Sequence, residues 1–481
     1  MGTLSCDLLL SGGTLVLPDG CHAADLAITD GRISAVLPSG ATASTRAAAV
    51  MDLGGLHVLP GVIDTHVHTR YPGIDAREDF ASGTAAAALG GITTLFEMPI
   101  SRLPANSGVS LTRRAELMAP HAYIDYALYG GAGHENLDDI ASQAEAGAIA
   151  FKTFLQPPPP ARLDEFLGLW CTDEAALVDV MRAVGRTGLR HAFHCEHAGM
   201  AAAFTRQVEA SGHTTGRAHA LSRPSVVEEV SAAMVLALAG ALGTRVQVVH
   251  VSSPRTLRLV ADARARGVDA TAETCPPYLY FTDEALDRLG AFAKSNPPLR
   301  SDADRLGMWQ GVAAGLVACI GTDHSPFLDD EKARGHDPIS SAPPGLCGLE
   351  VLVPLILTGV HDRRITLPEA ARLLSSGAAE LFHLSTKGRI APSADADVTI
   401  VDMGASWTYD HQQAATRSRG NMRIYDGLTM HGRVIHTVVR GAVVVRDGAL
   451  TGAPGHGRFV RPDRPAAPAS ASHSSQDSSH V

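Results

Sequence analysis

The chain has 481 residues, and 40 Lys and Arg against 50 Asp and Glu give it a formal net charge of −10. Hydrophobic residues make up 45% and charged residues 19% of the sequence, which is enough apolar material for a large core and too much for a disordered chain. The acidic balance offers no basic face, so we expect neither a nucleic-acid nor a membrane partner. The length fits one large barrel domain with a smaller companion.

The cysteines indicate a reducing compartment. Seven are spread along the chain without a C-x-x-C pair, and an odd number at such spacings is typical of cytosolic proteins. The segment from Met1 to Asp7 has no basic region, and the apolar run after it is too short to span a membrane. We therefore expect a soluble, unprocessed, cytoplasmic protein.

Both ends of the chain carry short apolar runs between glycine-rich turns. Asp30-Gly31 and Asp447-Gly448 are dipeptides that favour hairpin turns. Because an independent sheet needs three or more strands, residues 1–55 and 391–460 are predicted to pair into one small composite β-sandwich domain. Residues 461–481 have a composition that cannot form a core, and they are expected to be a disordered tail.

The middle segment, residues 56–390, alternates β-branched runs with Ala- and Leu-rich helical stretches. Eight runs are predicted as strands: Val58 to Ile63, Ile92 to Phe96, Tyr123 to Leu128, Ile149 to Phe154, Leu189 to His194, Val246 to Val251, Val268 to Ala272 and Val317 to Gly321. This alternation predicts a (β/α)8 barrel, so the fold class is α/β, a TIM barrel with the composite β-domain attached.

Six polar side chains fall at the predicted carboxyl ends of these strands, where barrel enzymes place their catalytic groups. They are His66, His68, Lys152, His194, His250 and Asp323. His66 and His68 are two apart in an extended segment, so both imidazoles point to one side. Singly, each residue has a simpler explanation, such as a core histidine, a lysine reaching water or a helix N-cap. Together they favour a divalent metal site of the kind that zinc prefers.

Lys152 needs a separate explanation, because a protonated amine cannot bind a cation. Its neighbours Phe151 and Phe154 predict burial, which lowers the pKa of the amine and increases the neutral fraction. A neutral amine can add carbon dioxide and become a carbamate, whose two oxygens can bridge two metals. We therefore expect N6-carboxylysine at position 152.

The same segments resemble the amidohydrolase superfamily, and within it the cyclic amidohydrolases: allantoinase, hydantoinase/dihydropyrimidinase and dihydroorotase. The resemblance covers roughly residues 7 to 450. It is carried by the stretch Pro60 to His68, by Phe-Lys-Thr-Phe around Lys152, by Phe-His-Cys-Glu-His and Val-His-Val-Ser-Ser, and by Gly321 to Pro326.

The resemblance implies a binuclear metal centre. One divalent ion, with Zn2+ expected, would be held by His66, His68 and Asp323. The other would be held by His194 and His250, and carboxylated Lys152 would bridge the two. Asp323 would also be catalytic, because it would take a proton from the attacking water and pass it to the leaving ring nitrogen.

The substrate remains open, because the sequence departs from each subgroup. Hydantoinases and dihydropyrimidinases usually carry a tyrosine five residues after the bridging lysine, where this chain has Pro157. Dihydroorotases typically show H-x-H-x-R, which Arg70 matches, but Ile100 stands where their next motif has asparagine. Allantoinases are similar around Met98-Pro99 and Asp323 to Pro326, although Pro277 replaces their usual histidine. We rank allantoinase-like first, with dihydroorotase or hydantoinase/dihydropyrimidinase as alternatives.

Three residues are candidates for binding the ring. Arg70 either binds an anionic or carbonyl-rich substituent or forms a salt bridge. The resemblance further implies contacts between the ring and the main chain near Asn296 and Gly345. The loops Pro157 to Pro160 and Phe327 to Glu350 are predicted to shape the pocket, because both follow barrel strands on the catalytic face.

The leading hypothesis is a metal-dependent hydrolase that opens a small-molecule cyclic amide or ureide. A second hypothesis, from another class, is a non-catalytic barrel that serves as a scaffold subunit. A third is a single-metal deaminase, which typically needs no bridging lysine. Relatives commonly form dimers or tetramers, so a homo-oligomer is expected.

Overall fold

The computed structural model describes residues 4–463, and eighteen strands lie in this part of the chain. Their bounds are β1 Leu4–Leu17, β2 Gly20–Thr29, β3 Arg32–Pro38, β4 Thr45–Asp52, β5 His57–Pro60, β6 Val62–Val67, β7 Ile92–Glu97, β8 Asp125–Leu128, β9 Gly130–Gly131, β10 Phe151–Phe154, β11 His191–His194, β12 Val246–Val248, β13 Ala270–Thr274, β14 Cys319–Ile320, β15 Val398–Thr408, β16 Thr429–Val439, β17 Ala442–Arg446 and β18 Ala449–Leu450.

The α-helices of the described residues lie mainly between the strands of the middle segment. Their bounds are α1 Phe80–Leu89, α2 Gly108–Met118, α3 Ile140–Ala146, α4 Glu174–Thr187, α5 Ala198–Ala210, α6 Ala218–Leu221, α7 Ser225–Leu242, α8 Pro254–Ala265, α9 Pro276–Tyr280, α10 Glu284–Leu289, α11 Asp302–Ala313, α12 Asp329–Ala333, α13 Leu352–His361, α14 Leu367–Ala371 and α15 Gly377–Leu381.

The two ends of the chain form one sheet, as the sequence predicts. Nine strands pair in the order β18-β17-β16-β15-β5-β1-β2-β3, with β4 added beside β1. The predicted hairpin turns are present, since Asp30 and Gly31 have φ of 52° and 75°, and Asp447 and Gly448 have φ of 51° and 73°. The sheet encloses an apolar cluster that joins residues from both ends, including Leu10, Leu26, Val398 and Val438.

The boundary between the two domains differs from the predicted one at residue 55. The first predicted barrel strand is divided at Gly61, so that β5 pairs with β15 in the composite sheet and only β6 enters the barrel. Glycine is required at this crossing because a Cβ there would collide with Thr93 and Asp397.

The C-terminal segment also reaches the barrel. Tyr126 in β8 donates its amide hydrogen to the carbonyl of Arg458 at 3.0 Å, and the amide of Asp463 bonds to the carbonyl of His383 at 2.8 Å. Residues 461–463 are therefore placed against the barrel. The rest of the predicted tail, residues 464–481, lies outside the described residues.

The barrel contains the eight predicted strands in chain order together with the short additional strand β9. β7 is one residue longer than predicted, and the other predicted strands are shorter or shifted by a few residues. Parallel pairing runs β6-β7-β8 in one sheet and β9 to β14 in another. The barrel closes through a parallel bridge between Val67 and His324. The amide of His68 also donates to the carbonyl of His324 at 2.8 Å. Because all the strands are parallel, their carboxyl ends open onto one face.

One stretch, Ala218–Leu242, is long and apolar enough by length and composition to cross a membrane. It consists of two helices, α6 and α7, interrupted before Pro224. Val227, Val235 and Leu236 on one side of α7 are buried in the main core of the barrel. Packing in the outer layer of the barrel explains the hydropathy of this stretch.

Candidate active site

The first group of predicted ligands meets where β6 and β14 end. Nε2 of His66 lies 3.4 Å and Nε2 of His68 lies 3.2 Å from the same carboxylate oxygen, Oδ1 of Asp323. Both histidines are buried, and the Asp323 side chain is 20% exposed to the cavity. The three side chains offer ligand atoms that all lie within 4.8 Å of one another. This geometry suits one divalent cation.

The second group meets at the ends of β11 and β12. Nδ1 of His194 faces Nε2 of His250 at 2.9 Å, and the two ring centroids are 4.7 Å apart. The other nitrogen of His194, Nε2, bonds to Oε2 of Glu196 at 2.8 Å. A carboxylate that accepts a hydrogen bond from one ring nitrogen leaves the other nitrogen unprotonated. The lone pair of Nδ1 then faces the opposing imidazole, as in histidine ligands of metals.

Lys152 lies on β10, next to β11, and its charge acts on both His66 and His250. Its side chain is buried, and the amine has no hydrogen-bond partner among residues 4–463. Burial lowers the pKa of Lys152 to about 8, although Asp323 and Glu273 act in the opposite direction. Nζ lies 5.0 Å from the centroid of Phe154, which is itself 5.6 Å from the ring of His194. The amine is therefore desolvated, and its neutral fraction, the form that carbamate formation requires, is larger than that of an exposed lysine.

His66, His68 and His250 are held in the neutral state that binds cations. Burial, followed by the charge of Lys152, lowers the pKa of His66 to about 3, and burial places the pKa of His68 and His250 well below the usual range. Neutral imidazole is the form that ligates a metal. Nε2 of His66 and Nζ of Lys152 are both buried without a hydrogen-bond partner in the described chain. Such unpaired buried nitrogens fit a metal centre and are otherwise costly.

Two site residues adopt backbone conformations that only the tertiary fold can impose. His250, with φ of 41°, follows β12, and Asp323, with φ of 50°, follows β14. Both lie in the left-handed region, which is unfavourable for residues with a Cβ. The strands consequently end before these residues, rather than running through His250 as the sequence predicts.

A cavity of about 970 Å³ is lined by five of the six side chains, namely the four histidines and Asp323. Its walls are made by the two loops that the sequence singled out, with Pro157 to Pro160 on one side and Phe327 with Pro343 to Gly345 on the other. The volume exceeds what a five- or six-membered ring needs, and arginines are numerous in the lining, including Arg70, Arg162 and Arg223.

Arg70 lines this cavity and does not form the alternative salt bridge. Among the described residues, no carboxylate lies within 4.0 Å of its guanidinium, which instead donates to the carbonyl of Pro326 at 3.1 Å and to Oγ of Ser325 at 2.5 Å. The group stacks 4.3 Å above the ring of Phe327. Burial and the neighbouring Arg162 lower the pKa of Arg70 to about 9.

The other two substrate-binding candidates also line the cavity. Oδ1 of Asn296 is buried and has no hydrogen-bond partner in the part of the chain described here. The amide of Gly345 is already used, since it donates to the carbonyl of Lys294 at 2.9 Å. A Cβ at Gly345 would lie 2.7 Å from the main-chain oxygen of Ser325, so only glycine fits this close approach.

Three further residues escaped the interpretation of the sequence. Glu196 is part of the Phe-His-Cys-Glu-His motif and Glu273 is part of none of the quoted motifs, and which histidine each one contacts depends on the fold. Oε1 of Glu273 lies 2.7 Å from Nδ1 of His66 across the barrel. Gln156 lines the cavity with its amide nitrogen buried and unpaired in the described residues. An acidic residue two positions after His194 was the only available signal of this kind.

The chain is similar to known proteins over most of its length. The model of the amidohydrolase family matches residues 57–444. An allantoinase of Rubrobacter xylanophilus is 38% identical over 460 residues, which covers 95% of this chain and 98% of that protein. An allantoinase of Deinococcus radiodurans is 37% identical over 465 residues, covering 95% of this chain and 99% of that protein.

Solved structures with a similar fold are named hydantoinase or dihydropyrimidinase rather than allantoinase. The L-hydantoinase (dihydropyrimidinase) from Arthrobacter aurescens superposes with a TM-score of 0.90 at 30% identity, covering 95% of this chain and all of that one (100%). A dihydropyrimidinase from Brevibacillus agri superposes with a TM-score of 0.86 at 26% identity, covering 96% of this chain and 99% of that one.

Proposed function

The chain belongs to the amidohydrolase family, and from this premise we propose that it is a metal-dependent hydrolase that opens the ring of a cyclic amide or ureide, with allantoin as the first candidate. The observation that carries the proposal is the meeting of His66 and His68 at one oxygen of Asp323. The relatives named allantoinase, at 32% to 38% identity over at least 92% of this chain, favour that substrate.

The proposed centre holds two divalent ions, Zn2+ by preference. His66, His68 and Asp323 would hold one, His194 and His250 the other, and N6-carboxylysine at Lys152 would join them. The desolvated amine of Lys152 and the paired nitrogens of His194 and His250 support this assignment. When bound, the ions supply Lewis acidity toward a ring carbonyl and toward a water molecule.

The residues of the chain would perform the proton transfer. Asp323 has the most exposed side chain of the six, with an exposed fraction of 20%, and it lines the cavity. Its carboxylate would accept the proton that water loses on adding to the carbonyl carbon, and would return it to the ring nitrogen as the C–N bond breaks. The product gains one carboxylate and one free amine or amide, so the step is a hydrolysis that consumes one water.

A second candidate is ring opening of the dihydroorotase type. It is favoured by Arg70, a buried guanidinium that has no carboxylate partner in the described chain and therefore suits an anionic substituent. Hydantoinase activity is the third candidate, supported by the similar solved structures and weakened by Pro157. In each case Arg70, Asn296 and the main chain at Gly345 are proposed to contact the ring.

Location and assembly belong to the same proposal. The seven cysteines of the chain are all free thiols, which supports a reducing cytoplasm. We propose a dimer or tetramer by analogy with the family. A non-catalytic scaffold is disfavoured because all six ligand candidates are retained and brought together.

A panel assay tests the proposal. Ring opening of allantoin, dihydroorotate, dihydrouracil and hydantoin is measured with the enzyme as purified, after chelation and after addition of Zn2+. We expect chelation to abolish turnover and Zn2+ to restore it. A chelated enzyme, verified metal-free, that keeps full activity on any ring would contradict the proposed centre.

A further inference from the structure

Gln156 is a cavity residue to which neither the sequence motifs nor the proposed chemistry assigns a role. It follows β10 by two residues and borders the same cavity as His194 and Asp323. Its side-chain nitrogen Nε2 is buried and has no acceptor within the described part of the chain. An amide donor withdrawn from water without a partner is destabilising, so a bound molecule is the natural acceptor.

The residues that line two neighbouring cavities give the direction of this side chain. Strand β10 ends at Phe154, and Leu155 and Gln156 form a bend after it. Phe154 and Gln156 both line the active-site cavity, whereas Leu155 lines a separate cavity of about 240 Å³. Gln156 therefore faces the active-site cavity beside Phe154.

The loop after Gln156 offers few other hydrogen-bond donors to a bound molecule. Positions 157 to 160 are all proline, so the backbone provides no N–H group along this part of the wall. Arg162, farther along the loop, is occupied by an ion pair with Glu165. A carbonyl oxygen that approaches this wall near Lys152 can thus be met by the Gln156 amide.

We propose that Gln156 is a substrate-binding residue whose amide N–H donates a hydrogen bond to a carbonyl oxygen of the cyclic amide. This inference rests on the proposed function, because it takes the occupant of the cavity to be such a ring. It makes Gln156 a determinant of how the ring is oriented over Lys152, in a chain that has proline rather than tyrosine at position 157.

The test compares Gln156→Met, which preserves the length of the side chain and removes the donor, with Gln156→Glu, which replaces the donor by an oxygen. Gln310→Met, at an exposed position of α11, is the matched control. Turnover is measured on the best ring of the panel, together with bound metal and melting temperature. We expect kcat/KM to fall by about 10- to 100-fold in both Gln156 variants, as for a lost hydrogen bond to a desolvated oxygen.

The outcomes separate this inference from the proposed function. Wild-type turnover with unchanged kcat/KM in Gln156→Met would overturn the role of Gln156 and leave the hydrolase intact. A loss of kcat/KM that is accompanied by lost metal or a lower melting temperature would also overturn it, since the residue would then be structural. A wild-type enzyme that opens none of the rings would contradict the proposed function itself, and the hydrogen bond with it.

Discussion

Oε1 of Glu273, in β13, lies 2.7 Å from Nδ1 of His66, in β6, with both side chains fully buried. The contact fixes the imidazole so that Nε2 faces Asp323. Oε2 of Glu273 accepts a hydrogen bond from Thr65 at 2.6 Å, so the carboxylate itself is anchored. A carboxylate behind a histidine in this way sets its tautomer and raises its basicity as a ligand.

We therefore expect Glu273→Gln to weaken metal binding by about 10- to 100-fold, the usual cost of losing such a support. Metal content is measured after dialysis against graded chelator. Glu284→Gln, at a position where the side chain is 80% exposed, is the control. Equal retention of metal by wild type and Glu273→Gln would show that the contact does not orient His66.

Lys152→Ala is expected to be inactive, because it removes the proposed bridge between the two ions. A short carboxylic acid added to the variant is expected to restore part of the activity, since its two oxygens can replace those of the carbamate. Rescue is measured as turnover against acid concentration, and the absence of rescue together with full metal content would contradict a bridging role.

The carbamate can be observed directly. The chain has only four lysines, at positions 152, 294, 332 and 387, and all are buried. Wild-type protein prepared with 13C-bicarbonate is expected to show one carbamate resonance that is missing from Lys152→Ala. A spectrum that is unchanged by the substitution would place the modification elsewhere.

Arg70→Met is expected to act on substrate choice. Hydrogen bonds to charged groups contribute about 1.5–3 kcal/mol, so KM for a ring with a carboxylate substituent is expected to rise by about 10-fold or more, with little change for neutral rings. Arg102→Met, an exposed position at the cavity rim, is the control. An equal effect on neutral and anionic rings would indicate that Arg70 only supports Phe327.

Lys332 gives the stability of the protein a dependence on pH. Burial lowers the pKa of Lys332 to about 7, whereas an unfolded lysine titrates near 10.5. Between these values the unfolded chain binds the extra proton, so this residue makes stability rise with pH, by at most about 1.4 kcal/mol per pH unit. The melting temperature of wild type relative to Lys332→Met is expected to increase from pH 7 to pH 9. A constant difference would mean that Lys332 keeps its charge.

Lys387 joins the barrel to the composite sheet. Its amine lies 2.7 Å from Oδ2 of Asp125 and 2.6 Å from Oδ2 of Asp397, and all three side chains are buried. Lys387→Met would leave the buried carboxylate of Asp397 without its cation, whereas Asp125 would keep its ion pair with Arg440. We expect a loss of about 3–5 kcal/mol in the free energy of unfolding. Denaturant unfolding measures this, and Lys387→Met with Asp397→Asn is expected to recover part of the loss. A single variant as stable as wild type would contradict the role.

The sequence by itself determined the order of the elements and the residue types at the strand ends. Alternating β-branched and helical segments specify a parallel barrel, because each strand must return over a helix before the next begins. Parallel strands then present His66, Lys152, His194 and Asp323 at one face. Local patterns suffice for these features, since they depend on neighbours within a few residues.

The tertiary structure alone decided which groups meet across the barrel. Glu273 contacts His66 from 207 positions away, and nothing in the local sequence of either residue specifies that pairing. The division of the first strand at Gly61 likewise depends on Asp397, which lies far along the chain. The left-handed backbones of His250 and Asp323 and the unpaired amide of Gln156 are consequences of packing between distant segments, which residue patterns do not encode.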